Sequence, residues 1–271
     1  MASYALSASL VPSSISAEDG FHAPALDEFF PDPILFAGTP FEINRIILVR
    51  LISTVALVAI LVLYSRRAQL VPKRAQGTVE SLLEFSKRQI GEEILGEKAR
   101  PYQPLLATIF LGILFMNITS VIPGLQIAST SIIGMPLIYA AVAYVAFIVA
   151  GIRANGAGHF FKEQLFPPGV PKPIYILMTP IELLSTFIIR PLTLTVRLLA
   201  NMVSGHLLLV LCFVGTHYLY LQMSGGLGIV LGSVTLLGGI AFTIFETFVA
   251  ALQAYIFALL SAAYISLSID H

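Results

Sequence analysis

Charge is what this chain has least of. Only 11% of its 271 residues are Asp, Glu, Lys or Arg, against 57% hydrophobic, and mean hydropathy is +0.88. A soluble domain carries roughly 25% charged residues, so a water-soluble globule is excluded and an integral membrane protein follows. The 15 basic and 15 acidic residues cancel, which leaves no net positive field to attract nucleic acid. The one cysteine, Cys212, rules out an internal disulfide and lies in an apolar run, as a small core residue does. There is no glycine-rich phosphate loop of the Walker type, so nucleotide chemistry on this chain is not expected, and no cofactor is either. Residues 1–10 lack the basic region of a signal peptide. Residues 1–43 contain no Lys or Arg but carry Glu18, Asp19, Asp27, Glu28, Asp32 and Glu42 among scattered prolines. That composition predicts an acidic, extended extracytoplasmic segment kept in the mature chain.

The remaining charge is unevenly placed. A first span over about 46–64 is followed by Arg66, Arg67, Lys73, Arg74, Lys87, Arg88, Lys98 and Arg100, more than half of the 15 basic residues. Loop 65–103 is therefore cytoplasmic by the positive-inside rule, with the N-terminus outside. Within it, about 78–95 mixes Val79, Leu82, Leu83, Phe85 and Ile90 with Glu84, Lys87 and Arg88, the pattern of an amphipathic helix at the membrane surface. Spans over about 104–122 and 132–152 follow, the first ending at the Pro123-Gly124 turn signal. Arg153, Lys162 and Lys172 mark the next loop as cytoplasmic. Two long apolar stretches, 181–221 and 227–267, flank Gln222-Met223-Ser224-Gly225-Gly226, and Asp270-His271 closes the chain on the cytoplasmic side. Each long stretch would reach roughly 61 Å as a helix, against a hydrocarbon core of about 30 Å. The expected fold is an all-α polytopic membrane domain over 44–271 with about five passages, the last two forming a long, strongly tilted helical hairpin.

The polar residues inside that hairpin carry the functional expectation. Arg197 stands in the first stretch, where a cation costs about 2.5–3.5 kcal/mol at the bilayer centre. At 100° per residue, Arg190, Arg197, Asn201 and Ser204 fall within about 60° of one another on one helix face. The second stretch carries Glu246 and Gln253, seven residues apart and also on one face. A hairpin turning about Ser224 has Arg197 27 residues before the turn and Gln253 29 after it, so these two come level. His206 lies 18 before and Glu246 22 after, an offset of about one turn. An imidazole and a carboxyl group so placed can pass a proton, while a purely structural pair would fix the hairpin register. Arg190 lies nearer the cytoplasmic start and is placed to snorkel; His217 and His159 read as exposed interfacial side chains. Arg197 has no carboxylate at its own level. An unpaired buried guanidinium cannot lose its proton, so its counter-charge is expected from another protein.

The segment PLTLTVRLLANM over 191–202 resembles the signature of subunit a of F-type ATP synthases, in which an arginine is followed four positions later by asparagine. Phe245-Glu246 and Ala251-Leu252-Gln253-Ala254-Tyr255-Ile256-Phe257 resemble that family's last helix, and Phe115-Met116-Asn117 through Pro123 is a weaker match on the second span. The resemblance implies a non-catalytic stator subunit of a rotary motor; as no organelle-targeting segment is recognised ahead of the first span, the expected location is the plasma (inner) membrane of a bacterium. Its implied partners are the c-ring subunits, the peripheral stalk b subunits, the rest of the complex and the bilayer. Arg197 would be the essential arginine, drawing each passing ring carboxylate into its ionised form and blocking leakage between two offset proton half-channels. Asn201, His206, Glu246 and Gln253 match positions lining the outer half-channel, and Glu182, with Arg190, resembles the cytoplasmic exit. Two departures are visible. The acid and imidazole of His206 and Glu246 are exchanged relative to some members, and the spacing from Glu182 to Pro191 is one residue longer than the resemblance implies.

Other classes demand other features. A self-contained channel or secondary transporter predicts internal repeats or broken helices about a midplane site, and the halves show no convincing repeat. An intramembrane hydrolase needs a Ser/His dyad, paired aspartates or a metal set. No Asp lies in any expected span, and Ser204 and His206 are about 200° apart on a helix.

Overall fold

The computed structural model describes residues 29, 31, 33–35, 38, 42–69, 74–122, 125, 127, 129–166, 174–223 and 225–269. Most of the acidic leader, the Pro123-Gly124 turn, Lys73, Lys172, Ser224 and Asp270-His271 lie outside the described residues. Those described are helical with no strand, apart from an isolated antiparallel bridge between Leu35 and Ile43. Helix α1 (Arg45–Arg67) begins at Asn44, whose side chain accepts the Ile47 N–H at 2.9 Å, and ends on Arg66 and Arg67, the sign that suits a helix C-terminus. Helix α2 (Arg74–Phe85) buries no residue and lies on the surface of the bundle. It continues into a π-helical segment, Ser86–Glu92, that turns Ile90 and Gly91 inward. Ile90 is fully buried in the same core as Leu106 and Phe110.

Helix α3 (Gln103–Ile118) is 16 residues long, or about 24 Å, shorter than the expected second span. Its end has a local cause. The Thr119 hydroxyl donates to the Met116 carbonyl at 2.7 Å and Ser120 to Asn117 O at 2.8 Å, taking acceptors that another helical turn would use. The chain then returns through a polar, buried loop containing Ser129, Thr130 and Ser131. Thr130 Oγ1 donates to Asn117 Oδ1 at 2.6 Å, and Arg50 Nη2 on α1 donates to Ser129 O at 3.0 Å. Irregular backbone survives at membrane depth only where protein groups satisfy it; Arg50 does so at Ser129, the Thr119 hydroxyl at Ile127 O (3.0 Å) and Arg45 at Leu125 O (3.0 Å).

Helix α4 (Gly134–Asn155) stops at Gly156, φ +80°, whose N–H reaches back to Ile152 O at 2.9 Å. A short helix α5 (Ala157–Leu165) follows. Helix α6 (Tyr175–Leu184) runs through a π-helical segment, Ser185–Ile189, into α7 (Arg190–Leu221). The π segment lies just ahead of Pro191, which has no N–H to donate and whose ring crowds the Phe187 carbonyl. The whole run is 47 residues, and α8 (Gly226–Ile269) is 44. At about 66 Å, α8 must incline strongly to keep its apolar length within about 30 Å of hydrocarbon. The turn between α7 and α8 contains Gly225 at φ 104°, a conformation that glycine adopts without strain.

The core is built on the C-terminal half of α8. Ala250, Ala254, Ala258 and Ala262 recur every fourth residue and are all fully buried. The last three form one cluster with Leu106, Ile109 and Ile113 of α3, Ala140 and Ala143 of α4, and Leu194, Leu198 and Met202 of α7. Lipid offers apolar side chains the same environment as a protein core, so close backbone approach through small residues drives association here. Elsewhere the hairpin is open. Only 22% and 17% of the most apolar windows of the two long runs are buried, so Ile244, Phe245 and Phe248 face lipid or another protein.

Candidate functional site

The register of α7 against α8 places every polar residue of the hairpin. Thr216 Oγ1 donates to Thr235 Oγ1 at 3.0 Å, Cys212 packs on Gly239, and Gly205 meets Glu246. Each of these pairs mirrors about the junction between residues 225 and 226, one to two residues beyond the centre expected at Ser224. Position 254 is then opposite Arg197, so Gln253 is within one residue of its level. His206 and Glu246 also fall within one residue of level, where counting about Ser224 left about one turn between them.

Glu246 is 4% exposed and His206 5%. The carboxyl group of Glu246 lies directly on the backbone of Gly205, where a Cβ would overlap all three carboxyl atoms. Only glycine leaves that space. Glu246 therefore approaches α7 at the residue before His206, and its Oε1 is buried with no hydrogen-bond partner among the described residues. The imidazole of His206 also touches the ring of Phe29, edge to face, with centroids 5.1 Å apart. Gln253 is buried on α8, one turn beyond Ala250, whose carbonyl accepts the Asn117 amide at 3.4 Å.

Arg197 and Asn201 are half-buried, on the flank of α7 between its buried stripe and its open face, which shows Val196, Ala200 and Ser204. Among the described residues, no carboxylate lies within ion-pair distance of Arg197. Ser204 donates its hydroxyl to its own helix, to Ala200 O at 2.8 Å, and forms no dyad with His206. His159 and His217 are exposed.

At the other end of α7, Glu182 and Arg190 come together. Arg190 Nη2 lies 3.9 Å from Glu182 Oε1, which also accepts from Thr186 Oγ1 at 3.3 Å, and the Arg190 guanidinium sits 5.5 Å over the Tyr264 ring. Eight residues separate the acid from the arginine. The π segment between them widens the turn and takes up one residue, so the pair shares a face as residues seven apart do on an α-helix. The extra residue in the Glu182 to Pro191 spacing falls in that interval.

The structure adds three residues that sequence reading did not assign to the site: Gly205 beneath Glu246, Phe29 beside His206, and Asn117 on the Ala250 carbonyl. A glycine one residue before a membrane histidine was the signal available for the first. No sequence signal ties Phe29 to position 206. Among the described residues no cluster of three or more His, Cys, Asp or Glu could hold a metal.

Comparison with known proteins identifies the family. The sequence profile of the family described as ATP synthase A chain matches residues 47–266. A protein named ATP synthase subunit a from Rhodococcus erythropolis is 46% identical over 254 residues, which cover 93% of this chain and 92% of the relative. Proteins of the same name from Parafrankia sp. and Frankia alni are 40% and 38% identical over 255 and 262 residues, covering 93% and 95% of this chain and 85% and 89% of theirs. With the profile spanning all but its ends, and these relatives aligned along more than nine-tenths of it, the chain belongs to the ATP synthase subunit a family.

Proposed function

We propose that this protein is the stationary, non-catalytic proton-conducting subunit a of a bacterial rotary ATP synthase, with Arg197 facing the membrane carboxylates of a c-ring. The observation that carries the reading is Arg197 itself. It is a permanent cation with no carboxylate in reach among the described residues, on the edge of an open helix face. An arginine so placed needs an anion from outside the chain, and a ring of carboxylates passing that face supplies one at each step.

The other polar groups lie on either side of this charge. Toward the α7–α8 turn, His206 and Glu246 form an acid and imidazole couple, and Asn201 and Gln253 continue from it to the level of Arg197. Toward the opposite end, Glu182 and Arg190 form the second group, about 10 Å along the helix from Arg197. Two polar routes that end at different heights around one fixed cation are offset half-channels. A proton entering by the first neutralises a ring carboxylate, the ring turns, and Arg197 stabilises the ionised form that remains after release by the second. The basic residues after α1 put Glu182 and Arg190 on the cytoplasmic side and the N-terminus outside. The exposed apolar face of α1, with Leu51, Val55 and Val58, offers a surface for the peripheral stalk b subunits.

A test uses the complete complex reconstituted in vesicles. Arg197→Ala is expected to abolish ATP-driven proton pumping while the assembled subunit remains present, and the wild-type chain reconstituted without the ring is expected to conduct no protons. Robust proton flux through the isolated chain would instead favour a self-contained channel or transporter.

A further inference from the structure

Phe29 belongs to the segment before the first membrane helix, yet its side chain is 4% exposed and its ring meets the imidazole of His206 at 5.1 Å and 68°. This is an edge-to-face arrangement, the geometry aromatic rings prefer. The approach is pinned at its other end. Ile34 N and Ile43 N donate to Ile43 O and Leu35 O at 2.9 and 3.0 Å, so the chain folds back immediately before α1. Gly38, at φ +81°, supports the reversal, and its N–H donates to Glu42 Oε1 at 2.8 Å. Pro31 and Pro33 stand between the bridge and Phe29. Each fixes its own φ and lowers the entropy lost when the segment orders. His206 lies about 22 Å along α7 from Leu221, so this extramembrane residue reaches deep along the hairpin.

We propose that Phe29 is a positioning residue of the outer half-channel, whose ring holds the His206 imidazole in one orientation and closes that side of it to bulk water. This rests on the reading of His206 as a proton-conducting residue. A phenyl ring neither accepts nor donates a proton, so the face of His206 that it covers carries no proton traffic. Exchange is left to the part of the imidazole that Phe29 does not shield, and Glu246 lies against Gly205, the residue before it. The leader thereby acquires a role in the route and not only in the topology.

The experiment measures carbethoxylation of individual histidines by diethyl pyrocarbonate in the intact complex in membranes, resolved by mass spectrometry, with exposed His217 on the same helix as reference. Phe29→Ala is expected to raise the His206 rate relative to His217 by about 2- to 12-fold, the range that loss of one aromatic pair allows. Phe29→Leu, which keeps apolar cover, is expected to restore most of the protection. Ile43→Pro removes one of the three backbone hydrogen bonds of the bridge, Ile43 N to Leu35 O, without replacing a fully buried side chain, so it raises the His206 rate as well if the pinned leader is the shield. A His206 rate unchanged in both Phe29→Ala and Ile43→Pro overturns the proposal. Proton pumping by His206→Ala is measured separately: intact pumping sinks the half-channel reading, while the modification rates judge the Phe29 contact by itself.

Discussion

Gly205→Ala offers the sharpest test of the acid and imidazole couple, because the structure gives the added atom only one place to go. A Cβ at position 205 falls on the Glu246 carboxyl group. Either α7 and α8 separate locally or the carboxyl group swings away from its seat on Gly205. Overpacking a close contact costs about 1–3 kcal/mol. At about 1.4 kcal/mol per factor of ten, the geometry with Glu246 seated on α7 becomes about 5- to 150-fold less populated. ATP-driven proton pumping in inverted membrane vesicles, normalised to assembled subunit, is expected to fall within that range. Glu246→Asp shortens the side chain by one methylene, about 1.5 Å, and withdraws the carboxyl group from the space the alanine takes. The double variant Gly205→Ala with Glu246→Asp is therefore expected to pump better than Gly205→Ala alone, a coupling that independent sites do not show. Wild-type pumping by Gly205→Ala, or no recovery in the double variant, would refute the close approach of Glu246 to α7 as a condition for proton transfer.

Two further outcomes follow from packing. Thr130→Val keeps the side-chain shape but removes the donor to Asn117 Oδ1, leaving a buried acceptor unpaired, and is expected to destabilise the α3–α4 loop by about 1–3 kcal/mol. Thermal inactivation of the detergent-solubilised complex should register it as a lowered midpoint. Ala258→Leu forces a larger side chain into the fully buried small-residue stripe of α8 and is expected to cost at least about 1–3 kcal/mol, read as loss of assembled subunit from the membrane.

The hairpin was legible in the sequence because a membrane helix has few degrees of freedom. Its backbone must bond within itself, it rises a fixed distance per residue, and its side chains repeat every 3.6 residues. Two apolar stretches of equal length around a glycine-containing turn therefore place Arg197 near Gln253 and His206 near Glu246 by counting alone. The charges on the loops could be read in the same way. The end of α3 could not, because Thr119 and Ser120 end the helix only in concert with a buried loop that Arg50, Thr130 and Asn117 hold from other parts of the chain. Pro191 announced a distortion, yet whether it would kink, break or widen the helix depended on the neighbours available to Phe187 and Arg190.

What the sequence determined by itself was the membrane class, the long hairpin, and the isolation of Arg197 from any acid at its own level. These depend on periodicity, length and charge, which act along one chain segment at a time. Tertiary structure decided how the carboxyl group of Glu246 meets α7, that a π turn brings Glu182 to Arg190, and that Phe29 of the leader reaches His206. Each of those is an approach between segments distant in sequence or a local change of helical pitch. Such contacts follow from the space that small residues leave and from where displaced hydrogen bonds find partners, neither of which any single stretch of residues encodes.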